Sequence, residues 1–133
     1  MSRKKARDTA FKCVYQLQFD LGIDVESLVI NNIEIDSNNE TEIEFIKELV
    51  FGVKNNLENI DTVILSKLKD WTIERISKVD LAILRLAIYE IIYIKDLSNK
   101  VSANEAVELA KTYGDDNSAK FINGIIASVI AEN

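Results

Sequence analysis

The N-terminal segment combines basic and aromatic side chains at a helical spacing. At about 100° per residue, six of them lie away from the apolar side of the predicted helix, namely Lys4, Lys5, Lys12, Phe11, Tyr15 and Phe19. Arg7 precedes Phe11 and Tyr15 by four and eight residues, which forms a second stripe. Because basic groups attract phosphates and aromatic faces stack on unpaired bases, the pattern predicts a surface for single-stranded RNA. A structural alternative stays open, in which the rings pack against another helix and the lysines face water.

A second basic and aromatic pair, Lys120 and Phe121, falls in the first turn of the predicted last helix. Free backbone amides at a helix N-terminus and a lysine ammonium can together hold a phosphate. Asp115 and Asp116 lie just upstream and oppose such binding electrostatically. The alternative places Phe121 in the core and Lys120 on an ordinary surface.

The residue types that common catalytic and metal sites require are absent or isolated. The chain contains no histidine, which excludes His-based triads, imidazole general bases and nearly every common zinc site. No glycine-rich phosphate loop and no cluster with metal-ligand spacing occurs. Cys13, the single cysteine, lies on the apolar side of the first helix, which predicts an inert buried thiol. We therefore expect a protein that is not an enzyme and carries no metal or cofactor.

The charge of the chain is distributed unevenly. The formal net charge is −6, which by itself argues against nucleic-acid binding. Residues 1–12 nevertheless carry five basic residues against one acidic residue, a net charge of +4. Residues 20–48 are the acidic extreme, with a net charge of −8. This asymmetry predicts a local, oriented contact of a polyanion with the basic end.

Helices are the elements predicted to position these residues. The chain has no proline and only four glycines, so few residues interrupt a helix. Apolar residues recur at three- and four-residue steps without strand alternation, which predicts six or seven helices. A polar loop is expected over residues 31–41. The predicted helices cover 3–21, 24–30, about 41–69 with a break near 55–56, 71–78, 79–94, a segment from the Ser102 region to Gly114, and a last segment from Asn117 or Ser118 to about 130.

Three local signals refine these boundaries. Ser102 and Glu105 have the spacing of a capping box, in which each side chain satisfies a backbone amide of the first turn. Gly114 is expected to close that helix in the left-handed conformation. Gly124 lies inside the last helix, where glycine costs about 1 kcal/mol relative to alanine. Close approach of a neighbouring helix is the expected reason for this glycine.

The segment 79–94 is apolar on almost every face, which predicts a buried central helix. Arg85 and Glu90 lie within it and point about 140° apart, so they do not pair with each other. A buried arginine requires a carboxylate partner, and Glu105 and Glu108 are the candidates for a structural ion pair with Arg85.

Composition also restricts the class of protein. The chain has 133 residues, of which 47% are hydrophobic and 29% charged, which is typical of one globular domain. It contains no run of about 18 uncharged apolar residues, and no apolar signal core follows the basic N-terminus. One cysteine cannot form an intramolecular disulfide, which fits a reducing compartment. The prediction is a cytoplasmic protein that does not associate with a membrane.

Four segments, in order along the chain, resemble the NusB family of transcription antitermination factors. They are R-K-K-A-R-x-x-A-x-x-x-x-Y-Q at 3–16, W-x-x-x-R-I-x-x-V-D-x-A-I-L-R-x-A-x-Y-E at 71–90, V-x-x-N-E-A-V-E-L-A-K-x-Y-G at 101–114 and S-x-K-F-I-N-G at 118–124. These motifs are spread over nearly the whole chain. Their combination is specific, although no single motif would be.

The resemblance implies an all-α fold, a compact helical bundle of about seven helices in two packed subdomains, with residues 1–133 as a single NusB-type domain. It implies a non-catalytic protein that binds single-stranded boxA-type RNA together with the ribosomal protein NusE. Other Nus factors then link the complex to the RNA polymerase elongation complex, which passes terminators in ribosomal RNA operons. Asp80 matches a position at the NusE interface. The basic helix and the resemblance together predict eight RNA-binding residues, namely Arg3, Lys4, Lys5, Arg7, Lys12, Tyr15, Lys120 and Phe121.

Two other classes of protein stay open. A similar helical fold forms the RNA-binding domain of a ribosomal RNA cytosine methyltransferase, which would require a second domain with a nucleotide-cofactor loop and a catalytic cysteine. No such second domain occurs in residues 1–133. The remaining class is a helical adaptor between proteins that has no role in RNA binding.

Overall fold

Apolar residues at helical spacing form seven α-helices and one 3₁₀ turn in the computed structural model, which describes residues 3–33, 40–69 and 72–133. No strand occurs in these ranges. The all-α prediction with about seven helices is therefore confirmed. The elements are α1 (Arg3–Leu17), α2 (Val25–Asn32), α3 (Glu40–Asn55), α4 (Leu57–Ser66), the 3₁₀ turn (Ile73–Arg75), α5 (Lys78–Tyr93), α6 (Asn99–Tyr113) and α7 (Ser118–Glu132).

The helices pack as two groups that share α5. Helices α1, α2 and α3 contact one another, and α5, α6 and α7 form the second group, while α4 packs against α5. Helix α5 also packs against α1 and α3, and every residue from 80 to 91 is buried. The predicted central helix and the two packed subdomains are both confirmed. No helix in the described part of the chain is long and apolar enough to cross a bilayer.

Helix α1 ends at Leu17, four residues before the predicted end. The amide of Asp20 donates to the carbonyl of Leu17, and the Asp20 carboxylate accepts from the amide of Gly22. These short-range bonds turn the chain toward α2 and end the helix. Leu21, which falls inside the predicted helix 3–21, therefore lies beyond its end and is 51% exposed.

Two further segments differ from their predicted extent. Asn31 and Asn32 belong to α2, so the predicted polar loop begins later, and residues 34–39 of it lie outside the described ranges. The helix predicted over 71–78 is only the 3₁₀ turn Ile73–Arg75, and Trp71 lies outside the described ranges. Ser77 then caps α5, because its hydroxyl accepts from the amide of Asp80 at 3.1 Å.

The predicted capping box at Ser102 is wrong. Helix α6 begins one turn earlier, where the Ser98 hydroxyl accepts from the amide of Val101 at 3.4 Å. Ser102 is buried inside the helix, and its hydroxyl donates to Oε1 of Glu90 at 3.0 Å. A serine hydroxyl that faces α5 therefore serves an interhelical hydrogen bond, which the local spacing does not distinguish from a cap.

Gly114 ends α6 as predicted, but not in the left-handed conformation. Its φ of −88° and ψ of −171° are extended. An added Cβ would lie 2.4 Å from Oγ of Ser118, so close approach of α7 explains the glycine. Asn117 precedes α7 without a side-chain capping bond, whereas the Ser118 hydroxyl accepts from the amide of Asp115 at 3.0 Å.

The expectation that Gly124 permits close helix approach is wrong. A Cβ added there would meet no described heavy atom within 4 Å. Gly52 in α3 has that function instead, since a Cβ on it would lie 2.0 Å from the Tyr89 ring. The glycine in α3 thus lets a bulky residue of α5 pack directly on the α3 backbone.

Arg85 forms the predicted structural ion pair, but with a different carboxylate. Its Nε and Nη2 donate to the two oxygens of Asp61 in α4 at 2.9 and 2.8 Å. Its Nη1 donates to Oε1 of Gln18 at 3.0 Å. Neither Glu105 nor Glu108 contacts it, because Arg85 leaves α5 on the side that faces α4 and the end of α1.

Candidate nucleic-acid interface

The first turn of α1 presents basic side chains at a helix N-terminus, where the backbone amides point out of the helix end. Arg3, Lys4 and Lys5 are exposed there, and this turn contains no acidic residue. Cations at a helix N-terminus oppose the helix dipole, so this arrangement does not stabilise the helix itself. The same amides and cations attract an anion.

Arg3 is held in place by α3. Its guanidinium carbon lies 3.7 Å from the centroid of the Phe45 ring, and its Nε lies 3.7 Å from Glu42. The side chain keeps 46% of its surface exposed. Arg3 therefore combines a fixed position with an accessible charge.

Arg7, which was predicted to contact RNA, is buried inside the protein. Its side chain is 4% exposed, and its Nε and Nη2 both lie 2.9 Å from Oε1 of Glu90 in α5. Burial raises the pKa of Glu90 above its usual range, while Arg7 and the Ser102 hydroxyl act in the opposite direction. An RNA contact by Arg7 would require this buried pair to open, so the geometry gives Arg7 the role of an anchor between α1, α5 and α6.

The aromatic residues of α1 divide between core and surface. Phe11 is buried and stacks on Tyr113 of α6 at 4.7 Å between ring centroids. For this ring, the alternative that the aromatic residues pack against another helix is therefore correct. Tyr15 is half-buried, and Phe19 is 61% exposed. Tyr15 and Phe19 meet edge to face at 5.2 Å.

A cavity of about 230 Å³ opens beside these rings, and we call it the aromatic cavity. Lys12 lies at its exposed rim and Tyr15 in its wall. The structure thus brings these two predicted residues together. The cavity is lined by Phe11, Lys12, Tyr15, Gln16, Val79 and Tyr113.

A larger groove of about 630 Å³ brings together Lys4 of α1 and Lys120 of α7, which are far apart in sequence. Lys111 of α6 lines it too, and all three lysines are exposed. We call this region the lysine groove. Asn104 and Asn123 add amide groups, and Glu105 and Glu108 also line it.

Lys111 is not among the residues that the sequence predicts to bind RNA. The one sequence feature that points to it is its place in the motif E-L-A-K-x-Y-G, which resembles the NusB family. Periodicity shows that Lys111 faces solvent but not that it lies beside Lys4 and Lys120, since that depends on how α6 and α7 pack.

Asp80 and Phe121 line a separate cavity of about 300 Å³, the Asp80 cavity, together with Asp115. Asp80 is 8% exposed, and its Oδ1 has no hydrogen-bond partner. Burial raises the pKa of Asp80, and the nearby Asp115 raises it further, while hydrogen bonds from Ser118 and Ser77 lower it. A buried acceptor without a donor is costly, so a donor from a binding partner would be favourable there.

Cys13 and the acidic side chains are the other groups in the described ranges that could react or bind a metal ion. Cys13 is buried, as predicted, and burial raises the pKa of its thiol to about 12. Within residues 3–33, 40–69 and 72–133, no group of three or more His, Cys, Asp or Glu side chains could hold a metal ion.

In the described part of the chain, the fold and these surfaces define a helical protein with basic and aromatic grooves. The NusB family profile matches residues 4–131, and the chain belongs to the NusB family. A transcription antitermination protein NusB from Clostridium acetobutylicum is 44% identical over 98% of this chain and 96% of its own length. The family resemblance inferred from the motifs is therefore confirmed.

Solved structures agree with this assignment. A crystal form of T. maritima NusB superposes with a TM-score of 0.93 at 34% identity, over 100% of this chain and 93% of its own. A crystal structure of antitermination factors NusB and NusE in complex with dsRNA superposes with a TM-score of 0.88 at 30% identity, over 98% of this chain and 97% of its own.

Proposed function

We propose that this protein is a non-catalytic transcription antitermination factor that binds single-stranded boxA-type RNA together with ribosomal protein NusE. Its relatives are transcription antitermination proteins, and one similar structure holds NusB and NusE with double-stranded RNA, which supports RNA binding with NusE as partner. The preference for a single strand rests on the aromatic rings described below. The lysine groove is the observation that carries the proposal. It gathers three exposed ammonium groups from three helices of a chain whose net charge is −6.

The lysine groove supplies the contacts with the RNA backbone. Lys4, Lys111 and Lys120 attract phosphates as point charges, and the asparagine amides of the groove offer hydrogen bonds to phosphate or sugar. Arg3 and Lys5 extend this basic surface along the first turn of α1. Arg7 is left out of the contact surface because its guanidinium is buried against Glu90.

Bases are bound next to this basic surface. The half-buried ring of Tyr15 and the ammonium of Lys12 lie at the aromatic cavity, where an unpaired base can stack. Phe121 adjoins Lys120 and is also half-buried. Stacking on such rings requires bases that are not already paired, which favours a single strand over a duplex.

NusE binds at the Asp80 cavity. The unpartnered Oδ1 of Asp80 accepts a hydrogen bond from a basic side chain of NusE. This side chain adds to Arg75, which also lines the cavity, in offsetting the negative charge of Asp80 and Asp115. The bound protein then extends the basic surface available to RNA. Through other Nus factors the complex joins the RNA polymerase elongation complex and prevents premature termination in ribosomal RNA operons.

The test is a titration of fluorescently labelled boxA-type RNA with this protein, with NusE, and with both, followed by anisotropy. We expect the mixture to bind more tightly than either component, and RNA to strengthen the protein pair by the same factor. If the mixture binds no tighter than the better single component, cooperative binding is wrong. If no component binds RNA, the protein adaptor becomes the favoured class.

Two controls assign the effects to their surfaces. Asp80→Lys should weaken the pair with NusE while RNA binding by this protein alone stays nearly unchanged. Asp96→Lys makes the same charge change in the turn after α5, whose last residue Tyr93 lies about 20 Å from Asp80 along the helix axis, and should change neither. Unlabelled single-stranded RNA should also displace the label at a lower concentration than a duplex of the same sequence.

A further inference from the structure

Asp8 is the only acidic residue of α1, and no function assigned above requires it. It lies in the second turn of the helix, four residues before Lys12, within the basic N-terminal segment. A carboxylate gains from the helix dipole chiefly in the first turn, so the dipole does not explain Asp8. Its side chain instead contacts Lys12 and Tyr113, which both line the aromatic cavity.

The Asp8 carboxylate is bound at both of its oxygens. Its Oδ2 lies 3.2 Å from Nζ of Lys12, and its Oδ1 accepts from the hydroxyl of Tyr113 at the end of α6. The ring of Tyr113 in turn stacks on Phe11. Burial and the Asp8 carboxylate raise the pKa of Tyr113, so the hydroxyl keeps the proton that it donates. Asp8 is thus fixed beside Lys12, whose side chain is still 45% exposed at the rim of the cavity.

This ion pair lowers the attraction of Lys12 for a phosphate. Because Nζ and Oδ2 are 3.2 Å apart, an oxygen that contacts the Lys12 ammonium lies within about 6 Å of the Asp8 carboxylate. That distance is shorter than the Debye length of about 8 Å at physiological ionic strength, so salt screens the repulsion between the two anions only in part. A phosphate therefore gains less at Lys12 than at a lysine without a carboxylate partner.

A neutral base does not meet this repulsion. An ammonium group only donates hydrogen bonds, so it requires an acceptor on the base. Guanine and uracil carry an exocyclic carbonyl oxygen where adenine and cytosine carry an amino group, which is itself a donor. Since a base stacked in the aromatic cavity would lie next to Lys12, the ammonium can distinguish these two classes of base.

We propose that Asp8 is a specificity-determining residue. It keeps Lys12 from acting as a phosphate contact, so that Lys12 donates to the carbonyl oxygen of a guanine or uracil stacked in the aromatic cavity. This inference rests on the proposed function, in which phosphates are bound in the lysine groove. Asp8 is a positioning residue, since it acts through Lys12 rather than by touching the RNA.

The decisive variant is Asp8→Asn, because asparagine has nearly the same shape and can still accept from Tyr113. Without the negative charge Lys12 becomes available to a phosphate, so the log–log salt slope of RNA binding should steepen by about 0.7. Affinity for an oligoadenylate, which offers no carbonyl base, should rise about fivefold for the same reason. Discrimination, the ratio of the affinities for boxA-type RNA and oligoadenylate, should therefore fall.

Two further variants show whether Asp8 acts through Lys12. Lys12→Ala should leave the salt slope at its wild-type value but reduce discrimination, because a base contact and not a phosphate contact is lost. The double variant with both changes should have the slope of Lys12→Ala, since the charge of Asp8 matters only while Lys12 is present. Circular dichroism checks that each variant is folded.

Glu58→Gln is the matched control. It removes one negative charge from an exposed position of α4, outside the grooves and cavities described above, and should change neither slope nor discrimination. An equal effect of Glu58→Gln and Asp8→Asn would attribute the change to net charge and would overturn the inference.

Single base exchanges in the RNA locate the contact. Each guanine is replaced by adenine and each uracil by cytosine, one position at a time. At one position the exchange should weaken binding to the wild type about tenfold, and Lys12→Ala should remove that difference.

The outcomes separate this inference from the proposed function. Unchanged slope and discrimination in Asp8→Asn would show that the inference is wrong. So would a slope that falls by about 0.7 in Lys12→Ala, because Lys12 would then contact a phosphate. A wild type that binds no RNA at all would instead disprove the proposed function, and this inference with it.

Discussion

Arg7 of α1 and Glu90 of α5 form a buried ion pair that joins the basic N-terminal helix to the central helix. Both side chains are at most 4% exposed, and the Nε of Arg7 lies 2.9 Å from Oε1 and 3.2 Å from Oε2 of Glu90. The pair sets the position of α1 on α5, and hence where Arg3, Lys4 and Lys5 face the solvent. Arg7 thus orients the basic residues that precede it in α1.

Arg7→Ala should destabilise the protein by about 3–5 kcal/mol, because it leaves the Glu90 carboxylate buried without its partner. Urea unfolding followed by circular dichroism measures the change. Arg3→Ala serves as control, since its pair with Glu42 is partly exposed and should contribute no more than about 1 kcal/mol. Wild-type stability of Arg7→Ala combined with lost RNA binding would show that Arg7 contacts RNA after all.

Arg85→Ala should also damage folding more than recognition. Three hydrogen bonds to Asp61 and Gln18 are lost, and a destabilisation of about 2 kcal/mol is expected, because Asp61 retains partial access to water. Thermal melting measures it. An unchanged melting temperature together with weaker NusE binding would place Arg85 at an interface.

Replacing Lys4, Lys111 and Lys120 with alanine should reduce the salt dependence of RNA binding. Each lost phosphate contact lowers the log–log slope by about 0.7 for a single strand, so the triple variant should lose about 2. Anisotropy titrations at several salt concentrations give the slope. Lys47→Ala removes a lysine that pairs with Glu26 on the acidic part of the chain and should leave the slope unchanged. An unchanged slope in the triple variant would disprove binding in the lysine groove.

Asp80→Asn should stabilise the free protein at neutral pH. Because burial raises the folded-state pKa of Asp80, this carboxyl favours folding below its unfolded pKa of about 3.9 and loses that contribution as pH rises through the folded pKa. The advantage of asparagine should therefore be largest at neutral pH and disappear under acidic conditions. Melting temperatures across pH check the sign. A uniform gain at all pH values would mean that ionisation of Asp80 is not involved.

Cys13 should be nearly inert in the folded protein. With a pKa of about 12, its thiol reacts on the order of a thousandfold more slowly at pH 8 than an ordinary cysteine with a pKa near 8.5. Alkylation with iodoacetamide, followed by mass spectrometry, should show rapid labelling only in denaturant. Equal labelling in buffer and denaturant would contradict the buried position of Cys13.

The sequence by itself determined the helical class, the central helix and the family. Apolar spacing depends on the 3.6-residue period of each helix, so it identified the apolar side of α1 and the buried middle of α5 without knowledge of the neighbouring helices. The lack of proline let these patterns run nearly from end to end. The basic charge of α1 was equally visible, because its residues are adjacent in the chain.

Only the tertiary structure decided which side chains meet. Periodicity gives the direction of a side chain from its own helix, but not the residue of another helix that it reaches. Arg85 therefore pairs with Asp61 rather than with Glu105 or Glu108. Arg7, which was predicted to contact RNA, instead forms a buried ion pair with Glu90. For the same reason Lys4, Lys111 and Lys120 share one groove, and no described atom lies within 4 Å of a Cβ added at Gly124. These relationships depend on the packing of helices that are distant in sequence, which local spacing does not encode.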